Sequence, residues 1–309
     1  INPHYGTPEN PIYKGSVPGG STSGGAVSVA LDIADITIGT DTGGSTRIPA
    51  AYTGISGFKP TQDTISRQGC LVLSSTLDSV GIMAKNIALC KLGYEAMNEG
   101  PKSKKHYDIN NNFTLTIPTN FGFDNIESDI KRTFDIAKQK IINNGINVVE
   151  VNFPILDRYK KIPLWQFAAV ECLTEYADAY HDTPELIDPN ILKRMHRANE
   201  VKAVEYKLLL KIRQQMIEEH NKELGNGFLL MPTVTIKPPL LKDCNDTKHY
   251  DEVNLISLQN TTLANFMNGC SISVPFSNDN TTMGIMLNGS TNMDYQLLEI
   301  GSIIEKILK

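Results

Sequence analysis

Apolar and polar positions fall in short blocks whose lengths and periods predict helices and strands in alternation. From Gly24 to Ala34 the small and apolar residues Ala26, Val27, Val29, Ala30, Leu31 and Ile33 leave almost no polar side, which predicts a buried helix. Ile36-Thr37-Ile38 predicts a short strand, Gly54 to Thr61 a constrained core turn, Leu71 to Leu73 a strand and Ile87 to Met97 a helix. The polar stretch Glu99 to Asn112, with Lys102, Lys104, Lys105 and an Asn run, predicts a surface loop. Phe113 to Ile117, Ile126 to Asn144 and Ile146 to Val151 then read as strand, helix and strand. Gly145 stops the helix, and the two strands are expected to lie parallel.

Leu164 to Tyr180 predicts a helix. The spacing of Met195, Ala198, Val201, Val204, Leu208, Ile212 and Met216 predicts one long helix from Ile191 to about Leu224 with a single buried face. Phe228 to Met231, Ile272 to Val274 and Met283 to Leu287 predict strands, while Ala264 and Asp294 to Leu308 sit in helical patterns. Alternation of this kind specifies an α/β fold with a mixed, largely buried β-sheet covered by helices on both faces. No internal repeat breaks it, so residues 1–309 are expected to form a single domain.

Composition narrows the class. A net charge of -5, 40% hydrophobic residues and no Lys/Arg block give no electrostatic footprint for nucleic acid. No apolar run is long enough to span a bilayer, and no signal-peptide pattern opens the chain. The five cysteines are scattered without a Cys-x-x-Cys pair and read as reduced thiols, so a cytoplasmic location is expected. The sequence has no Walker loop, no dinucleotide fingerprint, no His-Glu-x-x-His and no acidic calcium loop. No cofactor and no metal are expected.

The chemistry concentrates in two glycine loops, Pro18-Gly19-Gly20-Ser21-Thr22-Ser23-Gly24-Gly25 and Gly39-Thr40-Asp41-Thr42-Gly43-Gly44-Ser45-Thr46-Arg47. Glycine pairs beside hydroxyls let backbone N–H groups approach a developing anion, and the run Thr42-Gly43-Gly44-Ser45 resembles an oxyanion hole. Ser45 needs a base to act as nucleophile. None of the six histidines (His4, His106, His181, His196, His220, His249) lies in a constrained loop beside an acid, and His196 and His220 read as solvated on a charged helix. Ser56-Gly57-Phe58-Lys59 has Ser-x-x-Lys spacing but lacks the companion motifs of penicillin-recognising enzymes, so Lys59 reads as a structural lysine.

These two loops, followed by Gly54-Ile55-Ser56-Gly57-Phe58-Lys59-Pro60-Thr61 and Ser75-Thr76-Leu77-Asp78-Ser79-Val80-Gly81, resemble the amidase signature family. The resemblance is gapless over the core 18–85. It is fainter at Leu230 to Thr233, Asn265 to Pro275 and Asp294 to Leu298, and a variable substrate-side helical region spans about 155–225. It implies an amidohydrolase that cleaves the C–N bond of a small carboxylic amide through a serine acyl-enzyme and a Ser-cisSer-Lys triad. Ser45 matches the nucleophile and Ser21, after Gly20, the bridging serine of the cis peptide. The amides of Thr42, Gly43, Gly44 and Ser45 match the oxyanion hole, and Asp41 and Arg47 match residues that shape the loop. Ser23 is a bystander.

The family's lysine precedes the first glycine loop by several dozen residues, whereas 20 residues precede Ser21 here. Lys14 is too close, and Lys59 matches a different, structural lysine. The base is expected on a segment upstream of the given sequence. The alternatives are an A-type glutaminase subunit of a tRNA-dependent amidotransferase, or a truncated non-catalytic relative acting as a scaffold. A small-molecule amide is the expected partner, with no nucleic acid, no membrane and a possible homodimer.

Overall fold

Strands β1 (Ile36–Asp41), β2 (Ser56–Lys59), β3 (Ser79–Ala84), β4 (Thr114–Pro118), β5 (Asn147–Val151), β6 (Phe228–Pro232), β7 (Cys270–Asn278) and β8 (Thr281–Gly289) join in one sheet. Its order is β1-β3-β2-β7-β8-β6-β4-β5. The computed structural model describes residues 2, 4–98, 113–245 and 247–309. The surface loop expected at Glu99 to Asn112 lies outside the described residues. The sheet is mixed: β4 runs parallel to β5 and β6, and the other neighbours are antiparallel.

The helices are α1 (Ser23–Ala30), α2 (Arg47–Thr53), α3 (Ile87–Met97), α4 (Ser128–Asn143), α5 (Pro154–Tyr159), α6 (Trp165–Glu175), α7 (Ala177–Asp182), α8 (Pro189–His196), α9 (Ala203–Leu224), α10 (Thr247–Leu258), α11 (Thr262–Phe266) and α12 (Asp294–Leu308). Side chains alternate across each strand, so one sheet serves two cores. Val80, Ile82, Ile285 and Leu287 pack with Ile87, Phe134, Leu298 and Ile304 of α3, α4 and α12. On the opposite face Leu229, Met231 and Met286 meet Phe167, Leu209, Met216 and Phe266 of α6, α9 and α11. Met83 meets Ala26, Val29 and Ala50 of α1 and α2. The architecture is the expected mixed α/β fold, with a largely buried sheet between helical layers.

Local readings differ in several places, and the helix expected from Leu164 to Tyr180 is broken at Tyr176 into α6 and α7. Ser56 to Lys59 is a strand rather than a turn, because β3 and β7 flank it and bury all four residues. Leu71 to Leu73 is not a strand; Leu71 is exposed, and the segment is held by polar contacts instead. Helix α1 stops at Ala30, where Asp32 turns the chain at φ 61, so Leu31 and Ile33 face outward and the helix buries one side only. The long helix expected from Ile191 is broken: Val201 and Lys202 are extended, and α9 restarts at Ala203 with Val204 and Leu208 exposed. His220, expected to be solvated, is 4% exposed. Among the described residues no helix is long and apolar enough to cross a membrane.

Candidate active site

Strand β1 ends at Asp41, whose carboxylate is fully buried and organises the second glycine loop. It accepts hydrogen bonds from Gly44 N (2.8 Å), Thr46 N (3.2 Å), Thr46 Oγ1 (2.8 Å), and Arg47 Nε and Nη2 (3.1 and 2.8 Å). Burial alone would push this carboxyl up. The Arg47 charge and hydrogen bonds, with Lys59 and Thr46 behind them, reverse that and hold it well below the usual carboxylate range. Arg47 opens α2 and is itself fully buried. Its remaining donors reach Thr261 O (2.8 Å), Asn265 Oδ1 (2.7 Å) and Ser271 Oγ (3.2 Å). Asn265 closes the cluster by donating to Asp41 O at 2.7 Å and to Leu77 O at 3.2 Å.

This bracing fixes which way each peptide of the loop points. Gly44 has φ 132, and a Cβ there would lie 2.2 Å from Thr261 Oγ1, so the position requires glycine. Thr261 Oγ1 and Thr262 Oγ1 donate to Gly43 O at 2.5 and 3.2 Å, turning that carbonyl inward. Thr42 Oγ1 donates to Asp78 Oδ1 at 2.6 Å. Among the described residues the N–H groups of Thr42, Gly43 and Ser45 have no acceptor, whereas that of Gly44 is taken up by Asp41. Of the four amides expected to form an anion cradle, the structure leaves three available.

The first glycine loop is seated against the second. Thr22 N donates to Ser45 O at 3.1 Å, and Thr22 rests on β1 where a Cβ at Gly39 would come within 2.3 Å of its Oγ1. The Gly20–Ser21 peptide is cis. Ser23 donates to Gly19 O at 2.6 Å, a contact within its own loop. Ser45 is half-buried and Ser21 exposed, and neither hydroxyl has a hydrogen-bond partner among the described residues. Both are free to meet a ligand.

Lys59 is fully buried and donates to Pro60 O (2.7 Å) and Ser79 Oγ (3.3 Å), not to either serine. Burial, then the Arg47 charge, lower its ammonium to about 8 against the pull of Asp41 and Asp294. Among the described residues no group of three or more His, Cys, Asp or Glu side chains is placed to hold a metal ion. The five cysteines are free, with Cys70 exposed and the others buried.

A sequence profile of the amidase family matches residues 1–298. The chain belongs to the amidase family. It is similar to the 2-amino-5-chloromuconic acid deaminase of Comamonas testosteroni, 29% identical over 321 residues that cover 100% of this chain and 68% of that protein. The indoleacetamide hydrolase of Pseudomonas syringae pv. syringae is 27% identical over 332 residues, covering 100% of this chain and 72% of that protein. Among solved structures, an allophanate hydrolase of Kluyveromyces lactis superposes with a TM-score of 0.85 at 24% identity, over 98% of this chain and 51% of that chain. That likeness establishes the amidase fold.

Within this member of the amidase family, sequence reasoning brought together Asp41, Arg47 and the two serine loops but missed Thr261, Thr262 and Asn265, which brace the loop from α11 and the residue before it. Asn265 opens one of the faint echoes of the family pattern. The number of donors on a buried Asp-Arg pair is the signal that would have sent the search there.

Proposed function

We propose that the protein hydrolyses the C–N bond of a carboxylic amide through an acyl-enzyme on Ser45. The observation that carries this reading is the set of N–H groups of Thr42, Gly43 and Ser45 left without an acceptor, among the described residues, in the braced loop that bears the Ser45 hydroxyl. Ser45 Oγ attacks the amide carbon, and the carbonyl electron pair moves onto oxygen, which the three N–H groups stabilise. Collapse of the tetrahedral intermediate breaks the C–N bond. The departing nitrogen takes the proton that left Ser45, relayed by Ser21 from the adjoining loop. Water then cleaves the ester with the roles of acid and base reversed. The base that sets the proton in motion is assigned by resemblance to a lysine preceding the first glycine loop. Lys59, held on Pro60 and Ser79, does not fill that role.

Amide-hydrolysing relatives such as the indoleacetamide hydrolase support the reaction class. The test uses the full-length protein and its Ser45→Ala variant against a panel of aliphatic and arylacetic amides. Turnover is expected to fall at least about a thousandfold in the variant. A fluorophosphonate is expected to label the parent at Ser45 and leave the variant unmodified. Equal turnover by both proteins would sink the reading.

A further inference from the structure

Helix α6 lies across residues 73–78, the segment that leads into β3, and Glu171 is where they join. Its carboxylate accepts from Ser74 Oγ, from Thr76 Oγ1, from Thr76 N at 3.1 Å and from the Tyr206 hydroxyl of α9 at 2.6 Å. One half-buried carboxylate thus gathers two hydroxyls and an amide from a three-residue turn, plus a phenol from a second helix. Burial, and then the bond to Glu171, raise the Tyr206 hydroxyl above the usual phenol range, so it stays a donor at ordinary pH.

The turn that Glu171 shapes is the one that carries Asp78. Asp78 Oδ2 accepts from Leu73 N and Ser74 N at 2.9 and 3.0 Å, and its Oδ1 holds Thr42 Oγ1. Ser74 and Asp78 are buried, so no solvent replaces these contacts. The connection therefore runs from Glu171 through Ser74 and Thr76 to Asp78, and from Asp78 to Thr42, whose N–H is one of the three unclaimed amides. A contact serving only to fasten α6 to the sheet could have ended on any polar group of the underlying surface. This one ends on the segment that seats the oxyanion loop.

We propose that Glu171 is a positioning residue of the amide-hydrolysing site: its carboxylate fixes the 73–78 turn, which through Asp78 aims the Thr42 amide. The proposal rests on the acyl-enzyme reading above. It places part of the substrate-side helical region in mechanical contact with the oxyanion loop, so a residue that touches no substrate governs the rate.

The test compares the full-length parent with Glu171→Ala, Glu171→Gln and Tyr206→Phe. In Glu171→Ala, kcat is expected to drop about 10- to 100-fold with KM within about threefold, because loss of aim acts on the transition state more than on binding. Amide hydrogen exchange at Ser74 to Asp78 and at Gly44 is expected to rise about tenfold, with β7 and β8 unchanged. Glu171→Gln is expected to recover part of kcat, since the hydroxyls of Ser74 and Thr76 can rotate to accept from the amide. Tyr206→Phe removes one donor without emptying the site and is expected to give a smaller loss in the same direction, which keeps the test open if Glu171→Ala does not fold. Unchanged exchange in a folded Glu171 variant overturns the proposal. So does raised exchange with unchanged kcat, which would mark a merely structural tie. A parent that turns over no amide refutes the preceding reading alone, and exchange at Gly44, on the same loop as Thr42, then decides the role of Glu171.

Discussion

Asp41 and Arg47 are the residues on which the candidate site stands, and both are buried beyond the reach of solvent. Removing one partner of such a pair leaves an uncompensated charge, so Asp41→Asn and Arg47→Met are each expected to cost about 3–5 kcal/mol. Urea titration of each variant measures this. Because the Asp41 carboxyl is depressed in the folded protein, its contribution is fully present above its unfolded value near about 4 and is lost as pH falls through the lower folded value. His220 behaves differently. Neither ring nitrogen has a partner of hydrogen-bond geometry, although Asn221 lies beside it, and burial lowers the imidazole to about 4. The unfolded chain therefore binds the extra proton between about pH 6.5 and 4. Stability tied to His220 is complete above about 6.5 and falls by about 3 kcal/mol as pH drops to about 4. His220→Phe is expected to flatten the dependence of the urea midpoint over that window; the same slope in parent and variant would exclude it. Sequence pattern could not show this: His220 sits among Glu218, Glu219, Asn221 and Lys222, and only the helix's rotation turns it inward.

Helix α2 shows what the glycines do for an element. All seven of its residues are buried, which requires the helix to lie directly on the sheet. Glycines make the floor: a Cβ at Gly57 would meet Ala50 Cβ at 2.7 Å, and one at Gly284 would meet Ser273 Oγ at 2.2 Å, Thr233 Oγ1 at 2.5 Å and Ala51 Cβ at 2.8 Å. Gly284→Ala is expected to destabilise by about 1–3 kcal/mol through overpacking. Gly24→Ala, at an exposed position of helix α1 with no atom within 4 Å of the added Cβ, is expected to stabilise by about 0.5–1 kcal/mol. Opposite signs in paired thermal melts check both. The same element marks where legibility ended. The glycine-serine motifs were readable because their composition is unusual, and α3, α4, α12 and strands β1, β4, β5, β6, β7 and β8 followed from their apolar blocks. Helix α2 was hidden because Arg47 to Thr53 buries every side, leaving no period to detect. Strand β3 was hidden for the same reason, with all six residues buried. At α8 and α9 the apolar spacing continued across Val201 and Lys202 although the backbone did not, since periodicity reports faces and not continuity.

At the scale of the molecule, the site is assembled from segments that meet only when the sheet is complete. Arg47 and Asp41 bond residues more than two hundred positions away, and β2 is paired between β3 and β7. No local window of sequence holds such information. The helical region joins the same body through the cluster where Phe167, Leu209 and Met216 pack against Leu229, Met231 and Met286. We expect it to unfold with the sheet. The single tryptophan, Trp165 on α6 under the Arg197 guanidinium at 3.8 Å, reports on that region alone. Its fluorescence and the far-ultraviolet circular dichroism are expected to give one urea midpoint, and two separated midpoints would show an independent unit. The buried guanidinium of Arg47 has a further consequence at this scale. It ties the end of β1, the start of α2, the segment before α11 and strand β7 through bonds that exist before any ligand arrives. The dipoles of the 42–45 loop are therefore oriented by folding itself, so that under the proposed reading a carbonyl entering the site would meet a polar environment with almost no reorganisation left to undergo.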